Sequence, residues 1–440
     1  MRPGVAGVLF VEASRYPSYG GTKRVVVNLA SMLDRERFEP RVLFYRDGPW
    51  VADLEAAGVP VAVFKSQEPE PGPEAAGMGP ADRAFWEGGA GTEATGEGKV
   101  RRSALRRSAS DLQAWWRFLG RDVAEARRLR GLVPPSTRLI HVNHSMVAEH
   151  SWFHVARRLG VPFVTHEHGI WKPRSAAYRH VAARAASVLC LTEERADRLR
   201  AHLHGRVRAD YLPNGIAVDQ LTPGSDRTSV RARLGVRAEL PLIITAGHVQ
   251  EWKGQALAVE AAAILAGRGM DFAWILCGED LQPAYTEALR RRIAEAGLTG
   301  KVRLLGARAD LPDLFAASDV AVHCSIRPEP FGLVVLEAML QGLPVIGPRE
   351  GAIPTLVRDG VDGVLVPPRD AGALAAAVLD LLSMPERRGA MGRAARSRVR
   401  ESFDVRRQAR RLEAIYDRAL GRGLAGGTAG SRGPSAGGAQ

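Results

Sequence analysis

The chain has three cysteines, six lysines and no run of eighteen or more apolar residues. The missing run excludes a helix that spans a bilayer. Cys190, Cys277 and Cys324 lie far apart, each in or at the end of an apolar run (SVLCLT, WILCGE, AVHCSI). That spacing excludes a disulfide framework or a cysteine metal site and reads as three buried thiols. The N-terminal MRPGVAGVLFVEASRYP has one early arginine and only a short apolar stretch. It reads as a first buried strand rather than an export signal, so the expected location is the cytoplasm. HExxH is also absent. Six histidines cluster at positions 141, 144, 150, 154, 166 and 168, and His150 and His154 stand at helical i, i+4 spacing. No acidic ligands converge with them in sequence, so no metal is expected.

Scarcity of lysine also changes how the charge is read. The formal net charge is +13, yet only six of the 61 basic residues are lysine. So strong a preference for arginine points to a general composition bias, and no nucleic-acid recognition motif is present, so nucleic acid is not an expected partner. Attraction to the phosphates of a small ligand, or a peripheral contact with an anionic membrane at the inner face of the cell membrane, fits the charge as well.

A length of 440 residues exceeds one ordinary core and favours two domains. Short apolar runs alternate with amphipathic stretches twice over. GVLFVEA, RVLFYR, VPVAVF, LIHVNH, PFVTHEH and SVLCLT form the first series. PLIITAG, AWILCGE, VRLLGA, VAVHCS, LPVIG and GVLVPP form the second. Continuous rather than alternating apolar strands imply sheets covered on both faces. The expected fold class is therefore α/β, with two Rossmann-like, doubly wound parallel sheets meeting near Pro213-Asn214-Gly215. Residues 66–100 are rich in Pro, Gly and Glu and predict a loose insertion, and 421–440 a low-complexity disordered tail. Asp404 to Leu420 predicts a last helix, stopped at Gly421.

The stretch richest in chemistry is Glu329-Pro330-Phe331-Gly332-Leu333-Val334-Val335-Leu336-Glu337, which follows a strand and opens a helix. Were the whole span helical, the two glutamates would stand roughly 12 Å apart. Amide N–H groups at the helix start between them suit an anion such as a diphosphate. In the first half, Gly20-Gly21 follows the first strand and precedes a helix, where glycine lets a ligand approach the backbone.

EPFGLVVLE, within a segment running from ASDVAVHCS to GVLVPPRD, resembles the acid motif and donor-binding half of glycosyltransferase family 4. The resemblance covers most of residues 5–420, weakly over 66–135. It implies a GT-B fold, with an acceptor-side domain over 1–215, a donor-binding domain over 216–400 and a helix over 401–420 that packs back on the first. The implied activity is sugar transfer, with retention, from a nucleotide-diphosphate sugar to a lipid-linked or saccharide acceptor. No cofactor is implied.

By the same resemblance, Glu329 contacts the donor sugar and Glu337 the ribose, with Phe331, Gly332 and Leu333 at the helix start between them. Lys253 clamps the diphosphate, and His248 stands where relatives carry arginine. Gly20 and Gly21 match the glycine-rich loop, and His168, with His166 as nearby rival, matches a histidine that reaches the donor sugar. His168, Glu329 and Lys253 are the implied catalytic set. Thr355 departs from the family, which often has glutamate there. No Asp-x-Asp occurs, so leaving-group stabilisation without a metal is expected. Two other readings stay open: an epimerase or phosphorylase of the same fold, or a nucleotide-sugar-binding protein without catalysis.

Overall fold

Among the described residues, thirteen short segments become the parallel strands of two sheets, seven in the first half of the chain and six in the second. The computed structural model describes residues 4–14, 20–64, 112, 115–143, 150–169 and 176–422. The first sheet and its helices comprise β1 (Ala6–Glu12), α1 (Gly21–Met32), β2 (Phe38–Phe44), α2 (Pro49–Ala56), β3 (Val61–Val63), α3 (Arg121–Leu129), β4 (Thr137–Val142), α4 (His150–Leu159), β5 (Phe163–Glu167), α5 (Ala176–Ala182), β6 (Ser187–Cys190), α6 (Glu193–His202) and β7 (Ala209–Tyr211). The second comprises α7 (Arg227–Arg233), β8 (Leu242–Ala246), α8 (Gln255–Gly267), β9 (Ala273–Cys277), α9 (Pro283–Glu295), β10 (Val302–Gly306), α10 (Leu311–Ala317), β11 (Val320–Val322), α11 (Leu333–Leu340), β12 (Val345–Pro348), α12 (Ile353–Leu356), β13 (Gly363–Val366) and α13 (Ala371–Ser383). Two more helices close the chain, α14 (Pro385–Ser402) and α15 (Val405–Ala419).

Strand order is β3-β2-β1-β4-β5-β6-β7 in one sheet and β10-β9-β8-β11-β12-β13 in the other. Every strand pairing is parallel. Helices cover both faces, which is why strands such as β1 and β9 are buried at every residue. Each sequence segment expected as a strand forms one, with ends moved by a few residues. β7 has no counterpart among them, since Ala209-Asp210-Tyr211 carries no apolar run. The order reverses between β1 and β4 and again between β8 and β11. At such switch points the loops leaving the carboxyl ends of the strands diverge and leave a crevice. Both crevices open onto one cleft. The insertion expected at 66–100, and the tail from 423, lie outside the described residues. Among the described residues no helix is long and apolar enough to cross a membrane.

The last helix joins the two halves. Asp404 caps α15 by accepting from the Arg406 amide, and the face made by Val405, Leu412, Ile415 and Tyr416 is buried. That face lies against the β1–β2 core, where Tyr416 meets Phe38 edge-on at 5.6 Å between ring centroids. Glu413 accepts from the Asp34 amide at 2.7 Å and from Arg37 at 3.0 Å. Upstream of α15, the Ile216 amide donates to the Phe403 carbonyl at 2.9 Å, and the Val405 amide donates back to Ile216 at 3.0 Å.

Tyr416 also reaches His141 on β4, with its hydroxyl 2.6 Å from Nδ1. His141 and His166, on neighbouring strands, are fully buried with ring centroids 5.9 Å apart. Burial lowers both pKa values: His141 well below 6.5, with His166 adding to the effect, and His166 to about 3 against an opposing backbone contact from Leu212. A histidine pKa lowered on folding contributes stability that is complete above the unfolded value and is lost as pH falls toward the folded one. At pH 5 the His166 contribution amounts to about 2 kcal/mol of destabilisation relative to pH 7 and above. We therefore expect the melting temperature to fall between pH 7 and pH 5, and to fall less in His166→Leu. Equal falls in thermal melts of the two proteins would contradict this.

Candidate functional site

Both switch points deliver side chains to a cleft of about 510 Å³ between the two sheets. Gly20, Gly21, Arg24 and His168 line it from the first domain. His248, Lys253, Glu329, Phe331, Gly332, Leu333 and Glu337 line it from the second. The structure thus places every sequence-derived site residue on one surface. His166 does not line the cleft; it is buried, with its ring tilted by 42° to that of His168 and 4.2 Å from it between centroids. His150 and His154 are core residues: His150 Nδ1 lies 3.4 Å from Asp122, and His154 Nε2 3.0 Å from the Phe118 carbonyl. The three thiols are buried, and burial pushes each up to about 12, so they are unreactive.

The second-domain wall is built around Glu329. The loop before α8 docks on the loop after β11: the Ile326 amide donates to the Trp252 carbonyl at 2.9 Å, and Cys324 Sγ to the Lys253 carbonyl at 3.4 Å. Gly254 adopts φ +72, and a Cβ there would collide with the Cys324 carbonyl, so only glycine allows this approach. Lys253 Nζ thereby reaches both Glu329 oxygens, at 3.0 and 2.8 Å. Ser325 Oγ donates to Glu329 at 3.0 Å, and His323 Nε2 sits 3.2 Å away, off the line of a well-formed hydrogen bond. Burial raises the pKa of this carboxyl, but Lys253 and His323 outweigh it and hold Glu329 well below the usual carboxylate range.

After Glu329 the chain turns into α11. Gly332 is the N-cap at φ +101, with no side chain capping the helix; the Val335 amide donates to the Gly332 carbonyl at 3.0 Å, and the amides of Leu333 and Val334 are left to whatever enters the cleft. Phe331 packs edge-on against Phe403, at 6.3 Å between ring centroids, which anchors this turn to the segment leading into α15. Opposite stands the start of α1, whose N-cap Gly20 also lacks a side-chain acceptor. A Cβ on Gly21 would sit 3.5 Å from Leu333 Cδ1. The N-termini of two helices therefore face each other across the cleft, and both ends carry partial positive charge.

Sequence reasoning missed several neighbours. Arg24 Nη1 lies 2.6 Å from Glu337 Oε1, an ion pair across the domains whose alignment is poor for a hydrogen bond. Asn143 Oδ1 lies 3.3 Å from His168 Nε2, which therefore acts as the donor. Asn143 Nδ2 in turn donates to Glu12 at 2.7 Å, and Glu12 accepts from the Ser14 amide and Thr22 Oγ1. His168 is thus held by a buried acceptor chain at the carboxyl ends of β1 and β4. Arg308, also on the wall, is tied to Asp310 through Nε at 2.8 Å and Nη2 at 2.7 Å. The legible signal was position: Glu12 and Asn143 end predicted strands, and Arg24 stands three residues after the Gly-Gly pair.

Comparison with known proteins places these features in context. Residues 226–398 match the glycosyl transferases group 1 family and residues 19–220 match glycosyltransferase family 4. The 2-deoxystreptamine glucosyltransferase of Streptomyces kanamyceticus is 30% identical over 330 residues, covering 70% of this chain and 84% of that protein. The D-inositol 3-phosphate glycosyltransferase of Corynebacterium glutamicum (strain R) is 32% identical over 220 residues, 48% of this chain and 52% of that protein. The chain thus spans only about half the length of that relative. Among solved structures, a Rickettsia africae glycosyltransferase superposes with a TM-score of 0.74 at 18% identity, covering 94% of this chain and 99% of that one. Anabaena Alr3699/HepE, in complex with UDP and glucose, gives 0.69 at 24% identity, with the same coverage of 94% and 99%. These likenesses show the GT-B fold.

His248 is about one-third exposed in the cleft, with Nε2 3.8 Å from Glu279. Burial lowers its pKa, Lys253 adds to this, and Glu279 and Glu329 oppose it, so the ring is mainly neutral at pH 7. An anion bound beside it favours the charged form, so binding takes up a proton. Affinity for a nucleoside diphosphate should then weaken as pH rises through the neutral range, and less steeply in His248→Arg. Identical pH profiles of Kd in wild type and His248→Ala would show that the ring takes no part.

Proposed function

Since the chain belongs to the glycosyl transferases group 1 and family 4 lineage, we propose that it transfers a sugar, with retention, from a nucleotide-diphosphate sugar to a hydroxyl acceptor. The observation that carries this reading is the pair of uncapped helix N-termini facing each other across the cleft, with Lys253 beside them. That arrangement stabilises the charge that develops on a departing nucleoside diphosphate. Glu329, kept ionised, accepts hydrogen bonds from donor-sugar hydroxyls, while Glu337 accepts from the ribose diol. His168, steadied through Asn143, approaches the sugar from the first domain. Lysine and helix amides supply the positive charge in this reading, and no metal or other cofactor is invoked. UDP-glucose is the first donor to test, given the UDP and glucose bound by the Anabaena protein. The named relatives act on D-inositol 3-phosphate and 2-deoxystreptamine, so cyclitols join lipid-linked and saccharide acceptors as candidates.

Peripheral work at the cytoplasmic face of a membrane also belongs to the proposal. Leu112, Trp116 and Leu119, at helical spacing, are 60%, 72% and 60% exposed, with exposed Arg117 and Arg121 beside them. An apolar stripe flanked by arginines suits an anionic lipid surface. Vesicles containing phosphatidylglycerol should co-sediment the wild type more than Trp116→Ala, and pure phosphatidylcholine vesicles should retain neither. Equal recovery of the two proteins from the anionic vesicles would refute the contact.

The catalytic reading is tested by transfer assays on folded variants. Removing Lys253 alone strands the buried Glu329 carboxylate, a costly state, so Lys253→Gln is best paired with Glu329→Gln. Glu337→Gln and the Lys253→Gln/Glu329→Gln pair should each lower transfer about a hundredfold or more, on the scale of losing a charge-stabilising group. Activity should survive EDTA, and nucleoside diphosphate should be released only when acceptor is added. Wild-type turnover in both variants would remove the site assignment. Release without acceptor would favour a different reaction on the same fold.

A further inference from the structure

Among the described residues, the charges that line the cleft balance. Arg24, Lys253 and Arg308 face Glu279, Glu329 and Glu337, and His248 is mainly neutral at pH 7. A diphosphate adds two or more negative charges to this wall, and a cation that leaves its present partner adds to the positive charge that receives it. Lys253 is held by both oxygens of a buried carboxylate, and Arg308 is tied through two nitrogens to Asp310. Arg24 has the loosest hold of the three. Among the described residues its guanidinium makes one poorly aligned contact, to Glu337, and a third of its side chain is exposed.

The placement of Arg24 adds a second argument. It lies in the first turn of α1, next to Lys23, and that turn contains no acidic residue. Two cations at the positive end of a helix oppose its dipole, and a bound anion reverses the sign of that interaction. Glu337, its partner, is the carboxylate that the transferase reading assigns to the ribose.

We propose that Arg24 is a diphosphate ligand released by the donor itself. The ribose diol takes Glu337, and the freed guanidinium closes on the phosphates from the first domain. The inference rests on the donor-site reading above. It implies that donor binding exchanges one contact between the domains for another, both made by the same arginine. It also assigns to Arg24 the guanidinium role that His248 does not fill on the opposite wall.

The test is calorimetry with UDP, GDP and ADP, and with the matched nucleosides, on wild type, Arg24→Gln, Arg24→Lys and the double variant Arg24→Gln/His248→Arg. For whichever diphosphate binds, Arg24→Gln should raise its Kd about tenfold or more while leaving the nucleoside Kd within about twofold. Arg24→Lys should fall between, and His248→Arg should restore part of the loss in the double variant. Ligand-free melting curves establish that each variant is folded. If diphosphate and nucleoside weaken together, or neither weakens, Arg24 is only a strut between domains and the inference falls, while the donor site stands. If no nucleoside diphosphate binds the wild type, the donor-site reading falls and takes this inference with it.

Discussion

An ionised carboxylate held out of water is the constraint around which the second domain's site is built. Glu329 is 6% exposed, and in that position a lone charge would lose its proton affinity contest with burial and become neutral. Lys253, His323 and Ser325 prevent that, and each requires something of the backbone. Gly254 lets the lysine loop come down onto the Cys324 carbonyl, and Gly351, at φ +66, lets the loop after β12 come down onto the Glu329 backbone. There the Ala352 amide donates to the Glu329 carbonyl at 3.0 Å. With Glu329 fixed, the turn through Gly332 and the start of α11 are fixed as well, and with them the amides that face the cleft.

The first domain answers with the same physics in a different form. Its buried carboxylate, Glu12, accepts from an amide, a hydroxyl and the side chain of Asn143, and so orients His168. One wall therefore offers a charge-compensated anion and the other a polar chain ending in imidazole. Each stands at the carboxyl edge of a parallel sheet, where the strand order reverses and the chain can leave in both directions.

What holds the walls at working distance is the end of the chain. α15 packs against the core of the first domain, although the residues that lead into it come from the second, and Phe331 touches that lead-in through Phe403. Across the cleft itself the domains meet through Arg24 and Glu337 and through the packing of Gly21 on Leu333. The first tie combines apolar packing with backbone hydrogen bonds and the ion pairs of Arg37. The second is ionic and partly exposed.

Much of this was written in the chain. Twelve of the thirteen strands announced themselves, because a strand covered on both faces must be apolar at consecutive positions, and that pattern survives without its neighbours. β7 did not, since three residues at a sheet edge need no apolar run. The glutamates flanking Pro330-Phe331-Gly332 could likewise be read as a site, because a local turn and a helix start fix their spacing. Which of His166 and His168 faces the cleft was decided by where β5 ends: residues two apart share a strand face, and His166 lies within the strand in the core while His168 lies just past its end, on the crevice. Arg24, Glu12 and Asn143 were beyond the sequence for a related reason. Their partners lie 313, 10 and 25 residues away, and no local periodicity records a contact that only tertiary packing creates.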